Sequence, residues 1–294
     1  MEITAAQVKD LREKTGLGMM ICKQALVESK GDMTLAIENL RKQGQLTAAK
    51  RAGKAAKQGI VSIVADPAAA IIYEVNSETD FVARNDDFVA FVNTLGKLLL
   101  AKKPATIEEA RNLAYPDFNG TVGQRVTELM GKIGENISFR RYYKVAIDPA
   151  VERVVTYLHG MGKIGVAVKL RVDSPVALAG DVVGLLGKDL AMQVAASIPI
   201  APDRESIPAE IIAKEKEIYF TQVKTSGKPE KIWDKIVEGK LVKFYQETVL
   251  IEQPFIRDTE TTVTDRIKAA EKEVKANIKV VSFIRIELGA EETA

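Results

Sequence analysis

The chain has 294 residues but only one cysteine, Cys22, and one histidine, His159. A single cysteine excludes an intramolecular disulfide and is typical of a reducing compartment. One histidine and one cysteine are also too few to build a zinc site from the usual ligands. No apolar run approaches the roughly 18 residues of a membrane helix, and residues 1–4 lack the basic and apolar regions of a signal peptide. These absences predict a cytoplasmic protein that needs no metal and no cofactor.

The charge balance gives little support for nucleic-acid binding. The formal net charge is +2, although the first 58 residues carry 11 basic and 6 acidic side chains. An Ala/Lys segment at residues 46–58 is either an RNA-binding arm or a solvated linker, and its basic residues include Lys50, Arg51, Lys54 and Lys57. Since no aromatic side chains are interleaved with these charges, the linker is favoured and no direct nucleic-acid contact is predicted.

Motifs for enzymatic chemistry are missing or occur in the wrong context. Residues 160–165 read Gly-x-Gly-x-x-Gly, nominally a dinucleotide-binding turn, but they lead into a strand pattern at residues 166–170 and not into a helix. The glycines are more typical of a hairpin turn. His159 has no visible nucleophile partner, so it is either a polar contact to another protein or a plain surface residue. We predict that the chain is not an enzyme.

The first 45 residues predict a small module of three helices. Residues 4–7 have the spacing of a helix capping box, and residues 15–18 form a glycine-containing turn before the second helix. Met19 and Met20 are consecutive, so one helix face cannot easily bury both. Either one of them lies in the core while Arg12 is solvated, or all three form a docking patch, for which Met and Arg are well suited.

The order strand, turn, strand, loop and helix occurs twice in the rest of the chain. Residues 60–75 predict a hairpin and residues 87–100 the helix that follows; residues 154–172 and a helix around residues 190–195 repeat this order. A last strand at residues 278–288 is expected to rejoin the second sheet. The predicted fold class is α+β, with a two-lobed core of antiparallel sheets.

Residues 206–251 interrupt this pattern with two apolar helical stripes on either side of a polar turn at residues 226–229. They predict an antiparallel helical hairpin inserted into the second lobe. The two stripes either satisfy each other or leave apolar side chains that pair with the hairpin of a partner. The predicted domains are a helical domain and linker at 1–55, a first lobe at 56–147, a second lobe at 148–205 completed by 252–291, and the hairpin at 206–251.

A large aromatic side chain lies in the loop between a buried-strand pattern at residues 71–75 and the helix predicted at residues 87–100. Such loops are mostly polar because their backbone remains in water. Phe81 nevertheless follows Asp80 at this point, and two interpretations stay open. Phe81 either folds back onto the following helix or is an apolar wedge presented to another protein.

Four segments of the chain match one known protein family. Residues 79–85 read Thr-Asp-Phe-Val-Ala-Arg-Asn, which is highly specific in its strand–loop–helix context. The other segments are Leu-Arg-Glu-Lys-Thr-Gly-Leu-Gly-Met-Met at 11–20, Tyr-Leu-His-Gly at 157–160 and Leu-Ile-Glu-Gln-Pro-Phe at 250–255. The chain resembles the family of bacterial translation elongation factor Ts along essentially its whole length. Three positions depart from the common pattern: Ile21 where an acidic residue is usual, Gln58 where Glu is common, and Gln193 where His is frequent.

This resemblance implies a guanine-nucleotide exchange factor for the elongation GTPase Tu. It implies a first domain of the ubiquitin-associated type and a coiled-coil hairpin that forms a homodimer or a heterotetramer. Neither a membrane nor covalent chemistry is part of this activity. The alternatives are a non-catalytic adaptor or an RNA-associated accessory protein that docks through the helical module and the hairpin.

The resemblance also implies which residues contact the GTPase. Three groups are involved: a loop that dislocates the magnesium ion of the GTPase, a patch on the helical module that contacts its nucleotide domain, and a turn that faces a distal domain. In that order the groups are Thr79, Asp80, Phe81 and Val82; Arg12, Met19 and Met20; and His159, Gly160 and Gly162.

Overall fold

A computed structural model describes residues 3–15, 19–40, 51 and 53–291 of the chain. The chain divides into two compact units, one of Met1–Val64, Tyr73–Tyr143 and Leu288–Ala294 and one of Ala65–Ile72 and Lys144–Glu287. Helices and β-sheets occur in both, so the predicted α+β class is confirmed. None of the helices within the described ranges is long and apolar enough to cross a membrane.

The helical module begins with α1 (Ala5–Thr15) and α2 (Met19–Glu28), and residues 33–40 form a third helix, α3. The predicted capping box opens α1, because the Gln7 side chain accepts from the Thr4 amide at 3.0 Å and the Gln7 amide donates to Thr4 Oγ1 at 3.3 Å. Residues 16–18 of the turn predicted at residues 15–18 lie outside the described residues, as do residues 46–50 and 52 of the basic segment. The buried core of the module is Val8, Leu11, Cys22, Ala25, Leu26, Ala36 and Leu40.

A three-stranded sheet of order β1-β2-β3 forms the core of the first unit. The strands are β1 (Gln58–Asp66), β2 (Ala69–Ser77) and β3 (Ser138–Ala146), and the helices between β2 and β3 are α4 (Asp86–Lys102), α5 (Ile107–Asn112) and α6 (Val122–Ile133). Every residue of β2 is buried, as its apolar run predicts for a central strand. Tyr73 of β2 donates its hydroxyl to the Val92 carbonyl at 2.8 Å and thereby fixes α4 on the sheet. Burial raises the pKa of Tyr73 to about 12.

A buried ion pair joins β2 to β3. The Glu74 carboxylate is fully buried and accepts from Arg141 Nε at 2.5 Å, from Asn76 Nδ2 at 2.7 Å and from the Gly289 amide at 2.8 Å. A carboxylate removed from water is stable only when its oxygens find such partners. The network therefore holds β3 and the segment around Gly289 in place on the first unit.

The second unit begins with a regular antiparallel hairpin. β4 (Glu152–His159) pairs with β5 (Ile164–Val172) without a register shift. Two helices follow, α7 (Pro175–Ala179) and α8 (Asp181–Ser197), and α8 packs against both strands. The approach is close at Gly187, where an added Cβ would lie 2.4 Å from Cγ2 of Val155. Only glycine lets α8 lie this near to β4.

The inserted hairpin consists of α9 (Ala209–Lys224) and α10 (Trp233–Thr248). Its two stripes bury Val223, Val237 and Leu241 against each other, so they satisfy each other in large part. Arg204 is fixed near the base of the hairpin, because its guanidinium binds both Glu252 oxygens and lies over the Tyr245 ring. The short strands β6 (Pro254–Phe255) and β7 (Asp258–Thr262) then pair antiparallel.

The end of the chain completes the second unit. α11 (Val263–Val274) packs on α8, and β8 (Ile278–Glu287) pairs antiparallel with β5 to give the order β4-β5-β8. The predicted return of the last strand to the second sheet is confirmed. The core between sheet and helices is mostly aliphatic and includes Val166, Val168, Leu170, Val183, Leu186, Leu190, Val194, Val263 and Val280.

Glu152 makes the stability of the second unit depend on pH. It is buried and accepts from Arg171 at 2.7 Å, from Lys169 at 2.8 Å and from the Asp148 amide at 3.0 Å. Burial raises the pKa of Glu152, but these hydrogen bonds outweigh it and lower the pKa to about 2. The folded pKa thus lies below the unfolded one, so the ionised carboxylate stabilises the fold above about pH 4.5 and this contribution is lost as the pH falls toward 2.

We expect Glu152→Gln to lower the free energy of unfolding at pH 7 by roughly 1–2 kcal/mol, because the charged acceptor is lost while both cations remain. The difference from the parent protein should shrink between pH 4.5 and pH 2.5. Urea unfolding followed by circular dichroism across this range measures it. Glu287→Gln, which removes an exposed acceptor of Arg285, is the control and should change little. A deficit of the same size at every pH would contradict the prediction.

Candidate functional site

The loop that carries the predicted wedge is short and hydrogen-bonded within itself. It leaves β2 at Ser77, forms a 3₁₀ turn over Val82–Arg84 and enters α4 at Asp86. The Asn85 amide donates to the Val82 carbonyl at 2.9 Å, which closes the turn. The Asn85 side chain then caps α4 by accepting from the Asp87 amide at 3.0 Å. The backbone on the carboxyl side of Phe81 is therefore fixed by turn and cap.

Thr79 fixes the other side of the loop. Its hydroxyl donates to Glu135 Oε1 at 2.7 Å and its amide to Oε2 at 3.0 Å, while its carbonyl accepts from the Ser77 hydroxyl at 2.8 Å. Glu135 follows α6 and lies 56 residues further along the chain. This two-point contact with a carboxylate is a charge-assisted clamp, which we call the Thr79–Glu135 clamp.

Between these restraints, adjacent apolar residues point in opposite directions. Phe81 is 80% exposed, whereas Val82 is only 7% exposed and packs into the first unit. The interpretation in which Phe81 folds back is wrong, because Val82 is the residue that the 3₁₀ turn directs inward. Asp80 is exposed too, and within the described ranges its carboxylate has no hydrogen-bond or ion-pair partner. The loop therefore exposes the Phe81 ring to solvent next to the exposed carboxylate of Asp80.

Glu78, at the start of this loop, differs from Asp80 because cations compensate its charge. Its carboxylate accepts from the Asn136 amide at 2.7 Å, binds Arg51 at 3.2 Å and lies 3.8 Å from Lys54. The Asn136 hydrogen bond, with the charges of Arg51 and Lys54, outweighs burial and lowers the pKa of Glu78. Two basic residues of the predicted linker thus support the loop from within the first unit.

The three residues predicted on the helical module are all exposed. Met19 is 57% and Met20 is 76% exposed, and Arg12 on α1 is exposed as well. The interpretation that places one methionine in the core is wrong. Cys22, Ala25 and Leu26 supply the core face of α2 instead, so both methionines are free for contacts outside the chain.

The third predicted group forms the turn between β4 and β5. His159 accepts the Lys163 amide at its carbonyl at 3.0 Å, and its Nδ1 lies 2.9 Å from the Tyr157 hydroxyl. Gly160 is exposed and Gly162 is buried, and both have positive φ, of 59° and 85°. The glycines make a hairpin turn that leads into β5, which confirms that they are no dinucleotide-binding motif.

Sequence reasoning missed Met161, the residue between these glycines. It is 87% exposed, and Leu158 on the same hairpin end is 46% exposed. A large apolar residue between two glycines in a turn was the available signal, since turns normally carry polar side chains.

The candidate residues thus lie on three parts of the chain: the helical module, the loop before α4 and the β4–β5 turn. Phe81, Met19 and Met20 present apolar side chains to water, Arg12 and Asp80 present charged ones, and Thr79 is partly buried in its clamp. Val82 and Gly162 differ because they are buried and shape the backbone instead. Exposed apolar side chains on fixed backbone are typical of a factor that acts by docking onto another protein.

Comparison with known proteins identifies the kind of factor. The family model described as elongation factor TS matches residues 78–290. Proteins named elongation factor Ts from Syntrophotalea carbinolica, Rhodospirillum rubrum and Prosthecochloris aestuarii are 42%, 45% and 43% identical to the chain. Each comparison covers 98% of this chain and 94%, 93% and 99% of the respective relative. The chain belongs to the elongation factor Ts family of translation elongation factors, and membership implies nucleotide exchange on the GTPase Tu.

One of the family departures has a clear structural setting. Gln193 of α8 is fully buried, and its carbonyl oxygen accepts the Ile256 amide at 2.8 Å while its Nε2 donates to Gln253 at 3.1 Å. The side-chain amide can both accept and donate, so Gln193 leaves no buried polar atom unsatisfied. Gln58 opens β1 and accepts from Asn76 through its carbonyl, and the side chain of Ile21 lies outside the described residues.

We expect Glu135→Ala to loosen the wedge loop without unfolding the protein, because it removes both acceptors of Thr79. Amide hydrogen exchange at residues 79–85 should become about ten- to a hundredfold faster, as expected when one or two charge-assisted hydrogen bonds are lost.

Glu128→Ala on α6 is the matched control, since Glu128 pairs with Arg125 and not with the loop. It should leave exchange at residues 79–85 unchanged. Mass spectrometry of peptides from both variants makes the comparison. If Glu135→Ala exchanges at the parent rate, the Thr79–Glu135 clamp does not hold the loop.

Proposed function

We propose that this chain accelerates the release of guanine nucleotide from the elongation GTPase Tu by inserting Phe81 between elements that support the magnesium ion of the GTPase. The observation that carries this proposal is an 80%-exposed phenylalanine on a loop restrained on both sides. Burial of an apolar ring by a partner removes it from water and lowers the free energy of the complex. Because the loop is already ordered, little conformational entropy is lost on docking.

The coordination of the magnesium ion is easily disturbed by such a wedge. It demands near-octahedral geometry and bridges the phosphate oxygens of the nucleotide, whose charge it neutralises. A small displacement of its protein supports therefore weakens nucleotide binding appreciably. Asp80 would enter beside the ring and bring an unpaired negative charge toward the phosphates.

The energy of the wedge alone is limited. Burying one phenylalanine yields roughly 1.5–3 kcal/mol, which corresponds to about one to two powers of ten in an equilibrium constant. The free energy needed to distort the GTPase must therefore come from further contacts as well. We assign these contacts to Arg12, Met19 and Met20 on the helical module and to the turn at His159. The adaptable methionines and the planar guanidinium suit the nucleotide domain, and the turn suits a distal domain.

The same contacts make exchange reversible. If the factor weakens the affinity of the GTPase for nucleotide, bound nucleotide weakens the affinity for the factor by the same ratio. Rebinding of nucleotide therefore releases the chain, and no covalent bond needs to form or break.

We expect Phe81→Ala to reduce the stimulated release of nucleotide by about ten- to a hundredfold, the range set by burial of one phenylalanine. The fold should persist, because Phe81 packs little within the chain. Stopped-flow release of a fluorescent GDP from the purified GTPase measures the rate, and circular dichroism checks the helix content.

Leu185→Ala on α8 is the matched control, because Leu185 is also a large exposed apolar residue and lies outside the three groups. It should release nucleotide at the parent rate. Full stimulation by a folded Phe81→Ala protein would remove Phe81 from the mechanism.

We also propose that the helical hairpin mediates self-association into a homodimer, or into a heterotetramer with the GTPase. Ile218, Ile232 and Val242 remain 38%, 37% and 44% exposed although the two stripes pack on each other. The hairpin of a second copy of this chain would bury these side chains.

We expect the double variant Ile218→Lys, Val242→Lys to shift self-association toward the monomer, since each buried aliphatic side chain contributes roughly 1.5–3 kcal/mol and a lysine would be buried in its place. Sedimentation equilibrium over a range of concentrations measures the shift. Glu217→Lys, an exposed polar change on α9, is the control, and an unaltered dimer in the double variant would count against the hairpin.

A further inference from the structure

β4 lies at the edge of the second sheet, and among the described strands it pairs with β5 alone. The Val172 amide donates to the Val151 carbonyl at 2.8 Å. Hydrogen-bonded and non-hydrogen-bonded pairs alternate along an antiparallel ladder, so the backbone groups of Val154, Thr156 and Leu158 face away from β5. Within the described ranges these amides and carbonyls have no hydrogen-bond partner. We call residues 154–158 the open edge.

The open edge lacks the features by which proteins normally protect an exposed strand. Unpaired backbone recruits other chains, and proline, lysine or a β-bulge usually prevents this. Residues 154–158 read Val-Val-Thr-Tyr-Leu, without charge or proline, and their register with β5 is unshifted. The opposite edge strand, β8, differs because it carries Lys279, Arg285 and Glu287 and has a register shift in its pairing with β5. The open edge is therefore available for pairing with a further strand.

A groove of about 480 Å³ lies at the beginning of the same strand, within the second unit. Its lining is mostly apolar and includes Val154 of the open edge, Pro149 and Ala150 before β4, and Pro175 and Leu178 of α7. The residues of an added strand lie beside those of β4, so a side chain next to Val154 reaches this groove.

Arg153 gives the groove a positive charge. Its Nη1 donates to the Leu178 carbonyl at 3.1 Å and to the Gly180 carbonyl at 2.9 Å, and within the described part of the chain it forms no ion pair. Glu152, which also lines the groove, is already bound by two cations, and Asp66 accepts two amides of its own turn. A carboxylate on the ligand is therefore favoured beside the guanidinium.

We propose that the open edge and the groove bind an extended peptide segment of another protein by strand addition. The segment pairs its backbone with Val154, Thr156 and Leu158, places an apolar side chain in the groove and brings a carboxylate to Arg153. In this mode of recognition the backbone hydrogen bonds provide affinity and the side-chain pocket provides specificity. A second copy of this chain fits less well, because two antiparallel β4 strands centred on Thr156 would place Arg153 opposite His159 and not opposite a carboxylate.

The probes are fluorescein-labelled peptides of eight residues that alternate threonine and valine. One end carries glutamate followed by leucine, valine or phenylalanine, and each peptide is made with this pair at either end. Fluorescence anisotropy with the full chain at about 150 mM salt measures binding. We expect at least one peptide to bind with a Kd of roughly 10–100 μM, which is weak because one strand and one side chain bury far less than a standard interface.

N-methylation of the peptide backbone tests strand addition on the unaltered protein. Only every second residue of an added strand donates its amide to β4. Methylation of one alternate set of amides should therefore weaken binding by about tenfold or more, and methylation of the other set by less than about threefold. Equal effects of the two sets would overturn the proposal.

Two variants of the chain test the edge and the groove. Thr156→Pro removes an outward amide and leaves the hydrogen bonds between β4 and β5 in place, so we expect binding to weaken about tenfold. Thr156→Ala keeps this amide and is its control. Ala150→Trp fills the groove from an exposed position and should weaken binding similarly, whereas Ala90→Trp, at an exposed position of α4, should leave it unchanged.

Circular dichroism checks the fold of each variant, and the N-methylated peptides decide the question even if Thr156→Pro is unstable. Failure of every peptide to bind below about 1 mM would overturn the proposal, as would full binding by a folded Thr156→Pro protein. Sedimentation equilibrium examines the remaining occupant. A shift of the Thr156→Pro protein toward the monomer would assign the open edge to a second copy of this chain and overturn its assignment to another protein.

Discussion

The Thr79–Glu135 clamp is the contact on which the proposed action of this chain depends. An exposed phenylalanine on a free loop would collapse onto the nearest apolar surface of its own chain, because that also removes it from water. Here one carboxylate holds the Thr79 hydroxyl and amide, and Val82 is buried on the other side of Phe81. On this restrained backbone the ring is 80% exposed. A rigid wedge can transmit force to a partner, whereas a mobile one would only be buried.

Local sequence patterns predicted most of the secondary structure around the site. The apolar run of β2, the helix α4 and the glycine turn after β4 all follow from spacing and composition, and the return of β8 to the second sheet followed from its place after the hairpin. These features depend mostly on neighbours in the sequence. The resemblance to the family, too, rests on short segments, at residues 11–20, 79–85, 157–160 and 250–255.

The direction of individual side chains could not be predicted in the same way. Phe81 and Val82 are adjacent and both apolar, and only the 3₁₀ turn decides which of them points inward. Nothing in the sequence links Thr79 to Glu135, because they are 56 residues apart and meet only through tertiary packing. Met19 and Met20 posed a similar problem, because the core positions of α2 are filled by Cys22, Ala25 and Leu26, further along the helix. For the Thr79–Glu135 contact and for the two methionines, tertiary packing and not local propensity fixed the outcome.

The two carboxylates near Phe81, those of Glu78 and Asp80, differ in whether a cation compensates their charge. Glu78 is neutralised by Arg51 and Lys54 and stabilises the base of the loop, while Asp80, two residues on, has no partner within the described residues. A carboxylate that already had a cation would bring no net field to a docking site. An unpaired one gains from approaching magnesium and loses on approaching phosphate, and both effects grow as water is excluded. Since the phosphates and magnesium bind each other, a charge that attracts one and repels the other opposes their pairing. In the proposed mechanism Asp80 therefore acts in the same direction as the ring beside it.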